Sequence, residues 1–117
     1  IAKENEHLRI VADQITCPTP ALTIAKAILH MISSPHWGTY HYSGVEAISW
    51  FQFAQKILAL VNCKNECLPI KTDEYPQLAK RPLYSVLDCH KIENTFGMTR
   101  PNWEIELREV IDVLCAP

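Results

Sequence analysis

The feature that most restricts this chain is its shortage of glycine: Gly38, Gly44 and Gly97 are the only three among 117 residues, and no two are neighbours. A dinucleotide-binding α/β fold opens on a strand followed by G-x-G-x-x-G, whose glycines let the backbone turn sharply and approach a pyrophosphate. Without that cluster, no nucleotide-cofactor fold begins here. What remains must be built from the helix and strand signals that punctuate the rest of the chain.

Those signals alternate. Leu8-Arg9-Ile10-Val11-Ala12 places apolar residues at positions 8, 10 and 12 and predicts a strand, with residues 13–18 as a loop. Thr19-Pro20 reads as an N-cap followed by a first helical proline, opening a helix to about Ser33. Leu22, Ala25, Leu29 and Ile32, joined by Ile24 and Ile28, give that helix a wide apolar stripe, expected to be core. Residues 38–43 predict a short strand. Ser49-Trp50-Phe51-Gln52 is a capping-box pattern for a helix to about Val61, with Phe53, Ala54, Ile57, Leu58 and Val61 inward. Leu68-Pro69-Ile70 is short and extended, and Pro69 restricts it to an edge.

Residues 72–82 carry charge and prolines without periodicity, the pattern of a functional loop. Tyr84–Leu87 is extended, and Asp88 is placed to cap a short helix through Phe96 that Gly97 closes. Asn102 then introduces a last helix from Trp103 to about Leu114, with Trp103, Leu107, Val110 and Leu114 inward. Helices mixed with strands define an α/β (α+β) class, and no repeat or linker divides the chain, so residues 1–117 are expected to form one domain.

Composition narrows the partners. The chain is 48% hydrophobic and 21% charged, with a formal net charge of −2, so it lacks the clustered basic surface that nucleic acid or an anionic membrane requires. With neither a membrane-spanning run nor a signal-peptide pattern, a soluble, cytoplasmic protein is expected. Five irregularly spaced cysteines do not form the even framework of small secreted domains and read as reduced thiols. Cys63 and Cys67 with Cys89 and His90 offer zinc-type ligands, but a second matched pair is lacking. The chain opens on Ile1, and residues 1–6 read as the end of a helix that starts upstream, so a truncated chain is expected.

Four blocks carry a resemblance. Leu8–Gln14 followed by Pro18-Thr19, then Gly38-Thr39-Tyr40-His41, then Ser49–Ala54, then Ala79-Lys80-Arg81-Pro82-Leu83-Tyr84-Ser85-Val86-Leu87-Asp88 resemble, in order and spacing, the C-terminal region of the dTDP-4-dehydrorhamnose reductases. The most specific pair is D-Q-x-x-x-P-T with R-P-x-x-S-x-L-D. The resemblance implies the substrate-binding lobe of an extended short-chain dehydrogenase, without its Rossmann half. It implies an enzyme that reduces the 4-keto group of a dTDP-sugar with NADPH or NADH, in dTDP-L-rhamnose formation. Two departures stand out: the family usually has Gly-Ser at Thr16-Cys17 and Asp-Leu-Ala at Thr23-Ile24-Ala25.

The family's catalytic Tyr and Lys lie four residues apart, and no Tyr of this chain has that Lys; Tyr75 and Lys80 are one residue too far apart. Catalytic residues and cofactor loop are therefore expected in a missing N-terminal domain, and this part alone is expected to be inactive. Arg81 matches the position of a pyrophosphate-binding arginine, against the plainer reading of an Arg paired with a carboxylate of the same lobe. Lys80 adds a possible second charge or a solvated Lys. Gln14 follows a strand end, where it either reaches nucleotide or sugar or satisfies loop backbone.

Tyr40, Trp50 and Trp103 are expected to pack rather than stack on a base, and His41 to be structural. Glu104, Glu106, Glu109 and Asp112 read as a solvated helix face. The resemblance also allows magnesium at a homodimer interface, with no residue assigned to it. Two alternative readings stay open: a non-catalytic binding module resembling the regulatory β subunit of methionine adenosyltransferase, which shares this architecture, and an epimerase or dehydratase acting on another nucleotide sugar.

Overall fold

A computed structural model describes residues 7–115 of the chain. The expected upstream helix end falls on residues 1–6, outside the described residues. The fold is mixed α/β. The first strand, β1 (His7–Val11), runs parallel to β4 (Glu66–Ile70), with His7 opposite Glu66 and Val11 opposite Ile70. In this two-stranded sheet Pro69 lies opposite Ile10, and each strand keeps a free edge where the missing N–H of proline costs nothing.

A second, smaller ladder joins β2 (Ile15–Thr16) to β3 (Ile48–Ser49) in antiparallel fashion. The sequence placed β2 inside a loop, because two residues are too few to show a period. Ser49 ends β3 and caps α2 (Trp50–Leu60): Gln52 N donates to Ser49 Oγ and Ser49 N donates to Gln52 Oε1, both at 3.1 Å. The capping box is as expected. α2 packs over β1 and β4. Phe53, Ala54, Ile57 and Leu58 are half-buried as expected, whereas Val61, expected inward, is exposed.

Three expectations are corrected. The first concerns α1 (Ala21–Ile32), whose N-cap is Pro20 rather than Thr19. The Thr19 hydroxyl instead donates to Cys17 O and accepts from Gly44 N, so it ties two loops together. The apolar stripe of α1 is exposed, and only Ala27, on the opposite face, is buried. Helical spacing reports that a face is apolar, not what covers it.

The second is residues 38–43, which form no strand, since no ladder partner lies beside them among the described residues. Side chains anchor them instead: Lys91 Nζ donates to Thr39 O at 2.9 Å, and Tyr40 meets Phe96 edge-on at 5.0 Å. The third concerns α4 (Trp103–Leu114). Its Asn102 cap accepts from Glu104 N and Ile105 N and Trp103 is buried, but Val110 and Leu114 are exposed.

α3 (His90–Phe96) closes on Gly97 in the left-handed conformation, φ 62°, as expected. Cys89 occupies its N-cap, while the Asp88 carboxylate one residue earlier accepts from His90 N at 2.9 Å. The interior is thin. Ala27, Ile48, Ile70, Cys89, Ile92 and Trp103 are the buried apolar residues among those described, and Trp103 Nε1 donates to Glu46 O. Among the described residues no helix is long and apolar enough to cross a membrane.

Candidate functional site

Short as it is, β2 is where distant parts of the chain meet. Ile15 pairs with Ser49 on one side and bridges in parallel to Tyr84 on the other. Ile15 N donates to Leu83 O at 2.8 Å, Ser85 N donates to Ile15 O at 2.9 Å, and Ser85 Oγ reaches the same carbonyl at 3.2 Å. This gives R-P-x-x-S a physical meaning. Residues 83–85 are stitched to β2, and Pro82 biases Arg81 towards an extended backbone just ahead of the stitched segment.

A second knot holds the opposite side. Thr72 opens a 3-10 turn (Thr72–Glu74), and its N–H donates to both oxygens of the Asp13 carboxylate at 3.0 and 3.1 Å. Its hydroxyl donates to Asp13 Oδ1 at 2.6 Å and accepts from Gln14 Nε2 at 3.1 Å. The D-Q pair therefore pins the turn from which residues 75–82 depart. The sequence had assigned these positions to a loop.

Between the two knots lies an open groove of about 980 Å³, within the range of small-molecule sites, roughly 300–1,000 Å³. Strand β1 lines it with Leu8 and Ile10, and Trp50, Tyr75 and Pro82 add ring faces. Gln14, Gln77, Ser85 and Arg81 add polar groups. Three basic side chains reach it: His7, Arg9 and Arg81. His7 pairs with Glu66 at 2.9 Å and Arg9 lies 3.6 Å from Glu74, whereas Arg81 meets no carboxylate among the described residues.

The structure thus brings Arg81 and Gln14 to one groove and leaves Lys80 exposed outside its lining. The intralobe ion pair considered for Arg81 is not formed among the described residues. Gln14 spends its amide nitrogen on Thr72. Trp50 departs from the packing expected of it, being 47% exposed and lining the groove, with its ring edge-on to Phe53 at 6.3 Å. Tyr40 and Trp103 do pack, as expected.

Trp50 was legible as a first-turn residue, but its exposure depends on β2, which sequence reasoning did not find. Tyr75 and Gln77 lie in the aperiodic loop, singled out as a segment and not by residue. His41 is exposed and lines no part of the groove. Of the acidic residues on α4, Glu104 pairs with Lys56 at 2.5 Å and Glu106 accepts from the Thr23 hydroxyl, so these two fasten helices together. The family's usual Asp at position 23 could not donate that bond when ionised.

The hydroxyl and N–H of Thr72 hold the Asp13 carboxyl below the usual carboxylate range. Such a group favours the folded chain at neutral pH and loses that contribution as pH falls through its depressed folded value. Asp88 behaves in the same sense, through hydrogen bonds from His90. Asp13→Asn is therefore expected to flatten, without abolishing, the fall in melting temperature between about pH 5 and 2. Melting curves across that window check it; an unchanged slope would mean the Thr72 knot does not hold the folded state together.

Among the described residues no group of three His, Cys, Asp or Glu side chains is placed to hold a metal ion. The three glycines stand outside the groove lining, and nothing in it resembles a pyrophosphate-cradling glycine loop.

The described residues form a mixed α/β lobe whose groove, lined by β1 and by loops, presents Arg81 without a carboxylate partner. The family model described as the RmlD substrate binding domain matches residues 1–115, and the chain belongs to that family. A dTDP-4-dehydrorhamnose reductase of Sinorhizobium fredii is 36% identical over 122 residues, 95% of this chain and 41% of that protein. The spore coat polysaccharide biosynthesis protein SpsK of Bacillus subtilis is 35% identical, over 95% of this chain and 38% of its own length.

Among solved structures, a dTDP-4-dehydrorhamnose reductase of Clostridium acetobutylicum superposes with a TM-score of 0.92 at 35% identity, covering 97% of this chain and 40% of that one. The reductase of Bacillus anthracis in complex with NADP gives 0.85 at 37% identity, over 94% and 38% respectively. The chain spans about two-fifths of the length of the relatives it matches.

Proposed function

We propose that residues 1–117 act as one lobe, the dTDP-sugar-binding part of a cytoplasmic dTDP-4-dehydrorhamnose reductase. In this reading the groove takes the nucleotide sugar, and NADPH or NADH is held by another lobe that also supplies the Tyr and Lys of catalysis. The observation that carries it is the unpaired Arg81 in a groove shared with Gln14 and Trp50. A planar guanidinium offers parallel donors to a diphosphate. The exposed indole of Trp50 offers a face for a base, a contact worth about 1–3 kcal/mol where bases stack on aromatic side chains.

The bound cofactor would supply hydride; the residues of this chain bind and orient the sugar nucleotide. Gln14 keeps an oxygen acceptor for a ribose or sugar hydroxyl, and Ser85 fixes the strand that presents Arg81. Titration calorimetry of dTDP into the chain, with tryptophan fluorescence followed in parallel, tests the reading. Saturable binding with a change in Trp50 emission, absent in Trp50→Phe, is expected. No binding at millimolar dTDP would remove the groove as the nucleotide site.

A further inference from the structure

Helix α1 is turned inside out with respect to this chain. Its buried side is Ala27, with Thr23 beside it facing Glu106 of α4. The opposite side presents Leu22, Ala25, Leu29 and Ile32, and the three large residues are 65%, 66% and 67% exposed. Their spacing of three, four and three residues is the a/d pattern by which one helix seats its side chains against another. Ile28, 52% exposed, widens the stripe, and no charged residue interrupts it. Single exposed aliphatics are ordinary, but a contiguous stripe marks an interface.

The rest of the molecule is open in the same way. Its radius of gyration is 16.7 Å, against about 13 Å for a compact domain of this length. Its accessible surface is 8583 Å², where the scaling for a folded monomer of this mass gives about 6,500 Å². The excess, roughly 2,000 Å², is ample for an interdomain contact, which buries about 600–1,500 Å². Layered domains become stable when each apolar stripe is covered by another element. The relatives supply a candidate for that cover, because about three-fifths of their length lies outside the matched stretch.

We infer that the Leu22-Ala25-Leu29-Ile32 stripe of α1 is the seam on which the dinucleotide-binding lobe of the same protein docks, helix against helix. This rests on the reading that the chain is one lobe of a longer reductase, and it adds which surface joins the two. A second copy of this chain is the competing occupant. The stripe is uncharged and offers no electrostatic complementarity for self-pairing, and the length outside the match favours the lobe.

The test compares the free chain with a fused protein in which it replaces the matched stretch of the Bacillus anthracis reductase. Leu29→Cys is introduced into both, Lys64→Cys serves as the control, and maleimide labelling is mapped by peptide mass spectrometry. Leu29→Cys should label at least about tenfold more slowly in the fused protein, as protection within a packed interface requires, while the control labels equally in both. In parallel, Leu29→Glu should lower the melting temperature of the fused protein and leave that of the free chain unchanged.

Equal labelling at position 29 in a fused protein that binds NADP would overturn the inference. So would a fused protein that binds no NADP, since a matching seam is what is asserted, or labelling of the free chain that slows as its concentration rises, the mark of a second copy on the stripe. None of these readouts involves dTDP, so failure of the groove as a nucleotide site is recorded separately.

Discussion

Replacing Gly44 by alanine is expected to destabilise the chain by about 3 kcal/mol or more, the upper part of the range for forcing an extra carbon into a packed site. A Cβ at this position would sit 2.3 Å from Pro18 O and 3.4 Å from Pro101 O, both backbone atoms that cannot swing aside. Gly44 is buried at a junction of three segments: its N–H donates to Thr19 Oγ1 at 3.0 Å, and the next residue, Val45, donates to Pro101 O at 2.9 Å. Relieving the clash means separating the loop before α1 from the loop before α4.

A core as thin as this one has little reserve against such a loss. A melting temperature lower by more than about 10 °C is the expected reading, since each kcal/mol corresponds to roughly 4 °C or more in a domain of this size. Gly97→Ala provides the contrast. That residue has φ 62° and nothing within 4 Å of an added Cβ, so only the left-handed backbone opposes alanine, at about 1 kcal/mol. If the two variants melt alike, close packing is not what requires glycine at position 44.

These two glycines also show what the sequence made legible. Gly97 was readable as a helix cap because the αL requirement is local and has a residue signature. Gly44 carries no such local signature, since its need for the smallest residue comes from Pro18 and Pro101, far away in the chain. The same division runs through the fold. The α2 capping box and the Asn102 start of α4 are complete within a few residues and could be placed from sequence. β2 has two residues, and its meaning lies in its partners Ser49 and Tyr84. The stripe of α1 was recognised as apolar but assigned to the core, because periodicity cannot distinguish a face covered by its own chain from one covered by another.

The groove follows the same rule. Arg81 was singled out through the resemblance and Gln14 by its place after a strand end, and both line the groove; Trp50, the third member, was assigned to packing. The sequence contained Ser49-Trp50 as a helix start, but the exposure of the indole is set by the way β3 delivers α2 beside β2. Lys80 was open to two readings, a second charge beside Arg81 or a solvated Lys, and it is exposed outside the lining. Of the two neighbouring cations only Arg81 lines the groove.

Arg81→Ala is expected to weaken dTDP binding to the chain by at least about tenfold, the equivalent of some 1.5 kcal/mol for the loss of a hydrogen bond to a charged group. The ceiling is about 3 kcal/mol, and the lower end is favoured because Arg81 is exposed and water screens its charge. Arg9 and His7 share the groove but already face Glu74 and Glu66, so neither substitutes for the lost guanidinium without breaking its own pair. Since Arg81 makes no ion pair among the described residues, its removal should leave the melting temperature nearly unchanged. Arg81→Lys should restore only part of the affinity, because an ammonium keeps the charge but not the planar pair of donors that matches a diphosphate. Calorimetric titration of dTDP into wild type and both variants, with thermal melts of each, decides the matter: equal affinities would leave Arg81 a bystander, whereas affinity lost together with stability would make it a structural residue of the lobe.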